Sequence, residues 1–297
     1  DNGVVAEGVT QTGMEVTAVV ARNMAEGATT VTVMAEAAGV DVFPVDIGMV
    51  TEGACISGIP EEREALVPRT LLARKAARGT RNFAKGPAMS PEEALRAVLT
   101  GLEIAGRLKE QGYEILATGE MGIGNTTTSS AVAAALLDEP VEKMTGKGAG
   151  LSDEGLLRKI RVIREALRDQ KRDREDPFDV LCKVGGFDIA GLAGVFLGGA
   201  VYRIPVLLDG FISSVAALLA VRLLPEAKDF MLATHVSKEP AGGLVLEALG
   251  LKPMLCCEMC LGEGTGAMAG LSALDMGFTV YHSMATFDDM QVEQYKP

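Results

Sequence analysis

A chain of 297 residues, 48% of them hydrophobic, has the volume for a sizeable core and is not a disordered protein. Its net charge of −12, lack of tryptophan and 4% aromatic content argue against nucleic acid or an anionic membrane as partner. No stretch is patterned as a signal peptide, and no uncharged apolar run is long enough to span a bilayer.

The chain opens at Asp1-Asn2-Gly3-Val4 in what reads as a loop after a strand, so its natural start is expected upstream. Residues 16–25 and 29–38 read as helices, the second closed by Gly39. Residues 40–45 alternate like a strand and end at Asp46-Ile47-Gly48. From Ser57 to Met89 the pattern is polar and irregular, with Arg69, Arg74, Lys75, Arg78, Arg81 and Lys85 close together. That run reads as a solvated face, with the wall of an anionic site as the alternative. Ser90-Pro91-Glu92-Glu93 is a helix start with N-cap, first-turn proline and N3 glutamate, and the helix is expected to stop before Gly112.

The central stretch is Gly119-Glu120-Met121-Gly122-Ile123-Gly124-Asn125-Thr126-Thr127-Thr128-Ser129-Ser130. An apolar run from Tyr113 to Ala117 leads in and a small-residue helix to Leu137 leads out. Glycines let the backbone approach a ligand, and the free N–H groups of a helix start attract an anion. Glu120 stands at the strand's C-terminal end, where open α/β sheets place their crevice. A nucleoside-triphosphate loop would need Lys-Ser/Thr after the last glycine; Asn125-Thr126 stands there instead, which favours a phosphate monoester held without a metal. A tight strand-to-helix turn and nothing more is the competing reading.

A second glycine-rich loop, residues 146–150, precedes Ser152-Asp153-Glu154 and a helix carrying Arg158, Lys159, Arg161 and Arg164. Residues 169–176 read as a charged surface linker. Residues 180–188 repeat the strand-to-glycine pattern through Gly185-Gly186 and lead into a helix over 189–202. Strands are expected at 204–208, ending in Asp209-Gly210, and at 230–234, ending at His235-Val236-Ser237, with a helix over 213–223 between them. Residues 254–257 precede Leu261-Gly262-Glu263-Gly264-Thr265-Gly266 and a helix over 267–276. Alternation of strand and helix predicts an α/β fold, doubly wound around a mostly parallel sheet, with five strand ends converging on one crevice. The five cysteines, Cys55, Cys182, Cys256, Cys257 and Cys260, are few for the length and point to a reducing compartment, the cytoplasm. Cys257-Glu-Met-Cys260 is half of a zinc ligand set; buried free thiols beside a strand end are the preferred reading.

These motifs resemble a known family, nicotinate-nucleotide:dimethylbenzimidazole phosphoribosyltransferase of the cobalamin lower-ligand pathway. The likeness is carried by Asp1 to Val4 with Glu7-Gly8-Val9, Gly119 to Thr127, Gly146 to Lys159 and Val184 to Asp188. Asp209-Gly210-Phe211, His235 to Glu239, Leu261 to Gly266 and the tail Tyr281 to Phe287 extend it over nearly the whole chain. It implies a large α/β domain over residues 1–270 and, over 271–297, the C-terminal part of a small helical domain whose N-terminal part is absent here, assembled as a homodimer. It implies Glu263 as general base, with Glu120 as a second active-site carboxylate. Lys159, Ser237, Gly122, Gly124, Asn125, Thr126, Gly185 and Gly186 would surround the nucleotide phosphate, and Asp209 would lie near ribose and nicotinate. Thr12 and Val20 stand in the segment that meets the incoming base, where many members carry Ser and Gln.

The implied reaction transfers phosphoribose from nicotinate mononucleotide to an azole nitrogen, with inversion, through an oxocarbenium-like transition state and with no cofactor or metal. The acceptor stays open among dimethylbenzimidazole, another benzimidazole, adenine and a phenolic compound. A non-catalytic nucleotide- or base-binding relative is the alternative of a different class.

Overall fold

A computed structural model of the chain describes residues 1–51, 65–170 and 175–293. After a 3₁₀ turn over Gly3–Glu7 come helices α1 (Glu15–Ala25) and α2 (Thr30–Ala38), then the short strands β1 (Val45–Asp46) and β2 (Leu72–Ala73). Helix α3 (Pro91–Glu110) leads to β3 (Leu116–Ala117), α4 (Asn125–Leu137), α5 (Val141–Met144) and α6 (Asp153–Asp169). Then follow α7 (Pro177–Val184), α8 (Phe187–Tyr202), β4 (Val206–Leu208), α9 (Phe211–Leu223), β5 (Met231–Ala233), α10 (Gly242–Leu249) and α11 (Thr265–Ser283).

Capping explains where the helices begin. The Ser90 hydroxyl accepts from the Glu93 N–H while the Glu93 carboxylate accepts from the Ser90 N–H, closing both sides of a capping box at α3. Thr29 and Thr32 do the same for α2, which Gly39 ends in the left-handed conformation. Ser152 caps α6 through the Gly155 N–H.

Among the described residues all strand pairing is parallel: β1 with β2, and a three-stranded sheet in the order β3-β4-β5. The sheet is thus parallel and helix-covered, as expected, but its strands are shorter than the apolar runs that announce them. Residues 40–46 run beside 69–74 with bonds from Arg69 N to Val42 O and Leu72 N to Pro44 O, but Pro44 has no N–H to return, so only two residues complete a ladder. The C-terminal ends of β3, β4 and β5 deliver Glu120, Asp209 and His235 to one side of the sheet.

One expected strand is a helix. Residues 180–184 lie in α7, which starts because Asp176 accepts the N–H groups of Phe178 and Asp179 and Pro177 occupies the first turn. Val180, Leu181 and Val184 are all buried, so their apolar run carries no period that separates strand from helix. Gly185-Gly186 therefore sits at a helix-to-helix junction. Residues 254–257 form no strand either; Leu255 makes a single parallel bridge to His235. Among the described residues fewer than five strand ends feed the crevice.

The cysteines divide differently from expectation as well. Cys182 is buried on α7, where burial pushes its thiol up to about 11. Cys256, Cys257 and Cys260 are exposed on the loop before α11, because that loop crosses the surface and leaves its side chains in water. Among the described residues no cluster could hold a metal ion, and no helix is long and apolar enough to cross a membrane. Cys55, residues 57–64 of the polar stretch and residues 171–174 of the charged linker lie outside the described residues. Within the basic run Arg69 pairs with Glu36, Lys75 with Asp46 and Arg81 with Glu93, so much of it ties loops together.

Helices α3 and α8 pack backbone to backbone. A Cβ at Gly101 would lie 1.9 Å from Gly191 O, and one at Gly194 would lie 1.9 Å from Val98 O. Gly194→Ala is expected to destabilise the fold by at least ~2 kcal/mol, since overpacked backbone cannot yield as a side chain can. Gly277→Ala, on the exposed part of α11 with nothing within 4 Å, should instead gain ~0.5–1 kcal/mol of helix stability. Thermal melts of the two variants check both signs.

Candidate active site

The loop between Leu261 and α11 is tightly constrained. Gly262, Glu263 and Gly264 follow one another at φ +85°, +63° and +98°. For glycine that conformation is free; for Glu263 it costs about 1–2 kcal/mol. Four contacts hold it. Glu263 N donates to Glu120 O at 3.2 Å, and Val31 N, in the first turn of α2, donates to Glu263 Oε2 at 3.4 Å. Gly119 packs so tightly against this loop that a Cβ there would stand 2.3 Å from Glu263 O. Behind the loop, Asp209 Oδ2 accepts from Gly264 N at 3.0 Å.

Asp209 does more than touch that one amide. Its Oδ1 accepts from Gly266 N at 2.7 Å and Ala267 N at 3.2 Å, so it caps α11 with both oxygens. The imidazole of His235 stands beside it, close enough that a Cβ at Gly266 would meet His235 Nδ1 and Asp209 Oδ1 together. Burial raises the Asp209 carboxyl and lowers the His235 imidazole, while their mutual attraction and the three N–H donors work the other way.

Glu120 faces the Glu263 loop from the end of β3. A Cβ at Gly262 would lie 2.7 Å from Glu120 Oε1, so only glycine lets the two acids come together. The Asn125 amide donates to Glu120 Oε2. Glu120 is half-buried as a residue but its carboxyl lies deep. Desolvation first, then the charges of Asp188, Asp209 and Glu263, push it well above the usual carboxylate range.

Thr126, the next residue on α4, belongs to a second constellation. Lys159, fully buried on α6, donates from Nζ to Thr126 Oγ1 at 2.8 Å and to Gly146 O at 3.1 Å. Burial pulls its ammonium down to about 8, against the pull of nearby Glu239. Glu239 Oε2 is buried without a partner among the described residues, and a Cβ at Gly146 would lie 2.0 Å from it. Ser237 belongs to the same loop, its hydroxyl accepting from Glu239 N at 3.3 Å.

Between these constellations the sequence-predicted residues largely converge. Glu120 and Glu263 line one cavity of about 620 Å³, with Asp188, Val31, Phe187 and Met268 among its walls. Gly122 and Gly186 border Asp188 and Asn2. Gly124 is the N-cap of α4 at φ +90°, and a Cβ at Gly185 would press on Leu181. Thr12 is exposed and Val20 half-buried, and neither lines the cavity; Thr17, Ala21 and Met24 of the same helix do. Those three share one helical face at i, i+4 and i+7, a signal the sequence carried. Asn2, Asp188, His235 and Glu239 were each inside a quoted motif but had no role attached to them.

Residues 1–292 match the family model described as phosphoribosyltransferase. The nicotinate-nucleotide–dimethylbenzimidazole phosphoribosyltransferase of Ruminiclostridium cellulolyticum is 46% identical, over 100% of this chain and 81% of that relative. Its counterpart in Acetivibrio thermocellus is 48% identical over the same shares. The crystal structure of CobT from Thermus thermophilus superposes with a TM-score of 0.88 at 40% identity, covering 99% of this chain and 84% of that one. On a match this long, with the fold shared, the chain belongs to the nicotinate-nucleotide–dimethylbenzimidazole phosphoribosyltransferase family.

Proposed function

We propose that this phosphoribosyltransferase moves the 5-phosphoribosyl group of nicotinate mononucleotide to 5,6-dimethylbenzimidazole or a related base, releasing nicotinate and α-ribazole 5′-phosphate by one displacement with inversion. The names of its relatives support the substrates. One observation carries the mechanism. Asn125 and Thr126, neighbours in the first turn of α4, bind Glu120 and Lys159 respectively. A carboxylate pair and a cationic phosphate grip are thereby fixed at adjacent positions of one helix start, which itself favours an anion.

In this reading Lys159, Thr126 and the α4 amides hold the phosphate, with Ser237 and the Gly185-Gly186 junction around it, and so position the sugar carbon. Nicotinate leaves from a pyridinium nitrogen that is already cationic, so it needs no proton from the enzyme. As one azole nitrogen attacks, the other must shed its proton. Glu120, whose proton burial favours, is poorly suited to take it, which leaves Glu263 as base. The strained loop aims Glu263 into the cavity that would receive the aromatic acceptor. Asp209 acts from behind, by holding that loop. A non-catalytic binder would need the phosphate grip but not two carboxylates, Glu120 and Glu263, lining one cavity.

Incubation with nicotinate mononucleotide and a panel of azoles, purines and phenols should release nicotinate only with an acceptor present. Glu263→Gln, with its melting temperature unchanged, should slow that release by at least ~10²-fold. Full turnover in this variant would remove Glu263 as base.

Lys159 supplies a pH dependence. Its charged form grips the phosphate and its ordinary pKa is displaced down to about 8, so the grip is present below that value and lost above it. KM for nicotinate mononucleotide should therefore rise through pH 8 by roughly tenfold per unit, and Lys159→Gln should flatten that profile.

The resemblance also implies a cytoplasmic homodimer with residues 271–297 in a small helical domain. In support, burial along α11 ends at Leu271, and beyond it Met276, Phe278, Val280, Tyr281 and Met284 are exposed apolar side chains. Light scattering at micromolar concentration should give twice the chain mass, and Phe278→Glu should shift it toward one.

A further inference from the structure

A buried carboxylate oxygen stands unbonded beside the phosphate grip. Glu239 lies between Ser237 and the start of α10, and its Oε2 is buried without a partner among the described residues. Gly146 separates it from Lys159. The Gly146 carbonyl accepts from Lys159 Nζ at 3.1 Å, while a Cβ on the same residue would lie 2.0 Å from Glu239 Oε2. Acid and ammonium therefore approach one glycine from two sides. They make no hydrogen bond to each other: Lys159 Nζ gives two of its three N–H groups to Thr126 Oγ1 and Gly146 O.

An unbonded carboxylate oxygen has lost its water without return, and a positive charge close by offsets that loss. Lys159 is that charge. Burial and Glu239 are the two influences on its ammonium, the first driving it down to about 8 and the second holding it up. Other charges on the surrounding elements are engaged elsewhere, and α4 carries none. Lys147 of the glycine loop pairs with Asp153 at the start of α6, and Arg164 of α6 pairs with Glu142 of α5. Arg158 donates to Gly8 O, Lys143 pairs with Glu139, and Lys238, next to Glu239, pairs with Glu258. A direct ion pair with Glu239 would consume the third N–H of Lys159. A carboxylate held one glycine away supplies its charge and leaves that N–H for a ligand.

We propose that Glu239 is a positioning residue for the phosphate grip: from across Gly146 it keeps the Lys159 ammonium charged and in place while leaving an N–H free for the substrate's phosphate. This rests on the phosphate reading of Lys159 given above. Glu239 touches no substrate in this arrangement and acts through Lys159. Gly146 is what permits it, since a side chain there would push the carboxylate away.

Glu239→Gln removes the charge and nearly keeps the shape, whereas Glu239→Asp keeps the charge. Titration of Lys159 is read in the ligand-free protein by NMR of carbon-13-labelled lysine, the signal being identified by its absence from Lys159→Gln. Loss of a charge that holds the ammonium up should move the midpoint of Glu239→Gln about one unit below its starting value of about 8, with Glu239→Asp close to the unmodified protein. Calorimetry with nicotinate mononucleotide should follow. With the midpoint one unit lower, the charged fraction at pH 8 falls from about one half to about one tenth, so binding weakens about fivefold. At pH 6 the lysine is charged in both proteins and binding should be no weaker. In turnover the change should fall on KM for the nucleotide rather than on kcat. An unmoved midpoint in Glu239→Gln overturns the proposal even where activity drops, because a structural role alone leaves the titration in place. A moved midpoint with unchanged affinity at pH 8 overturns instead the phosphate reading on which the proposal rests. Should Glu239→Gln fail to fold, Gly146→Ala displaces the same carboxylate, and an unmoved midpoint there overturns the proposal in its turn.

Discussion

Three backbone N–H groups at the start of α11 point at one buried carboxylate, that of Asp209. Much else depends on this. The bonds fix the first turn of a long helix, and through Gly264 they clamp a run of three left-handed residues ending where that helix begins. A glutamate at φ +63° would relax to an ordinary conformation if the loop were free. Asp209 comes from the end of β4, at the centre of the three-stranded sheet, so the sheet sets the position of the left-handed Glu263 loop. Gly119 at the end of β3 completes the clamp by excluding any side chain between loop and sheet.

Charge is distributed around this clamp with a clear division of labour. Acids collect on one side: Glu120, Asp188, Asp209 and Glu263 interact across the cavity and its rear wall, and burial raises the first three. On the other side one lysine is buried and driven down to about 8, with Glu239 as its acidic neighbour. Each half is costly by itself, because a desolvated charge of either sign has lost its water. A ligand that carries an anion at one end and a developing cation at the other relieves both at once. A phosphoribosyl group in transfer is such a ligand, since its phosphate is anionic and its anomeric carbon gains positive charge as the bond to nitrogen stretches.

Helix boundaries were legible because they are written in local chemistry: Ser90 with Glu93, Ser152 before Asp153, Thr29 with Thr32, and Gly39. Strand lengths were not, because pairing is a property of two segments and Pro44 silently removes a donor from one of them. The segment 180–184 misled for a related reason. It is buried on every side, so its side chains show no alternation, and the true signal was Asp176-Pro177 four residues upstream. In the site, motifs located the acids and the lysine but not what each side chain turns toward. Nothing in Asp209-Gly210 says that the carboxylate will accept three N–H groups of a helix start. Nor does spacing within α1 choose Thr17, Ala21 and Met24 over Val20 until the helix has a neighbour to face.

The glycines carry a last consequence for how this site can vary. At Gly262 a side chain would strike Glu120, at Gly186 it would strike Asp188 and Asn2, and at Gly146 it would strike Glu239. At each point an acid, not backbone, occupies the space a Cβ would take. Glycine here is the condition for carboxylates to approach main chain closely. At Gly186 and Gly146 the site should therefore lose chemistry before it loses stability, whereas at Gly262, at φ +85°, a side chain would strain the backbone as well. The glycines between α3 and α8 are the opposite case, for there the obstructing atoms are the backbone of the partner helix. One residue type serves both ends, making room for an acid at Gly262, Gly186 and Gly146 and for backbone between α3 and α8.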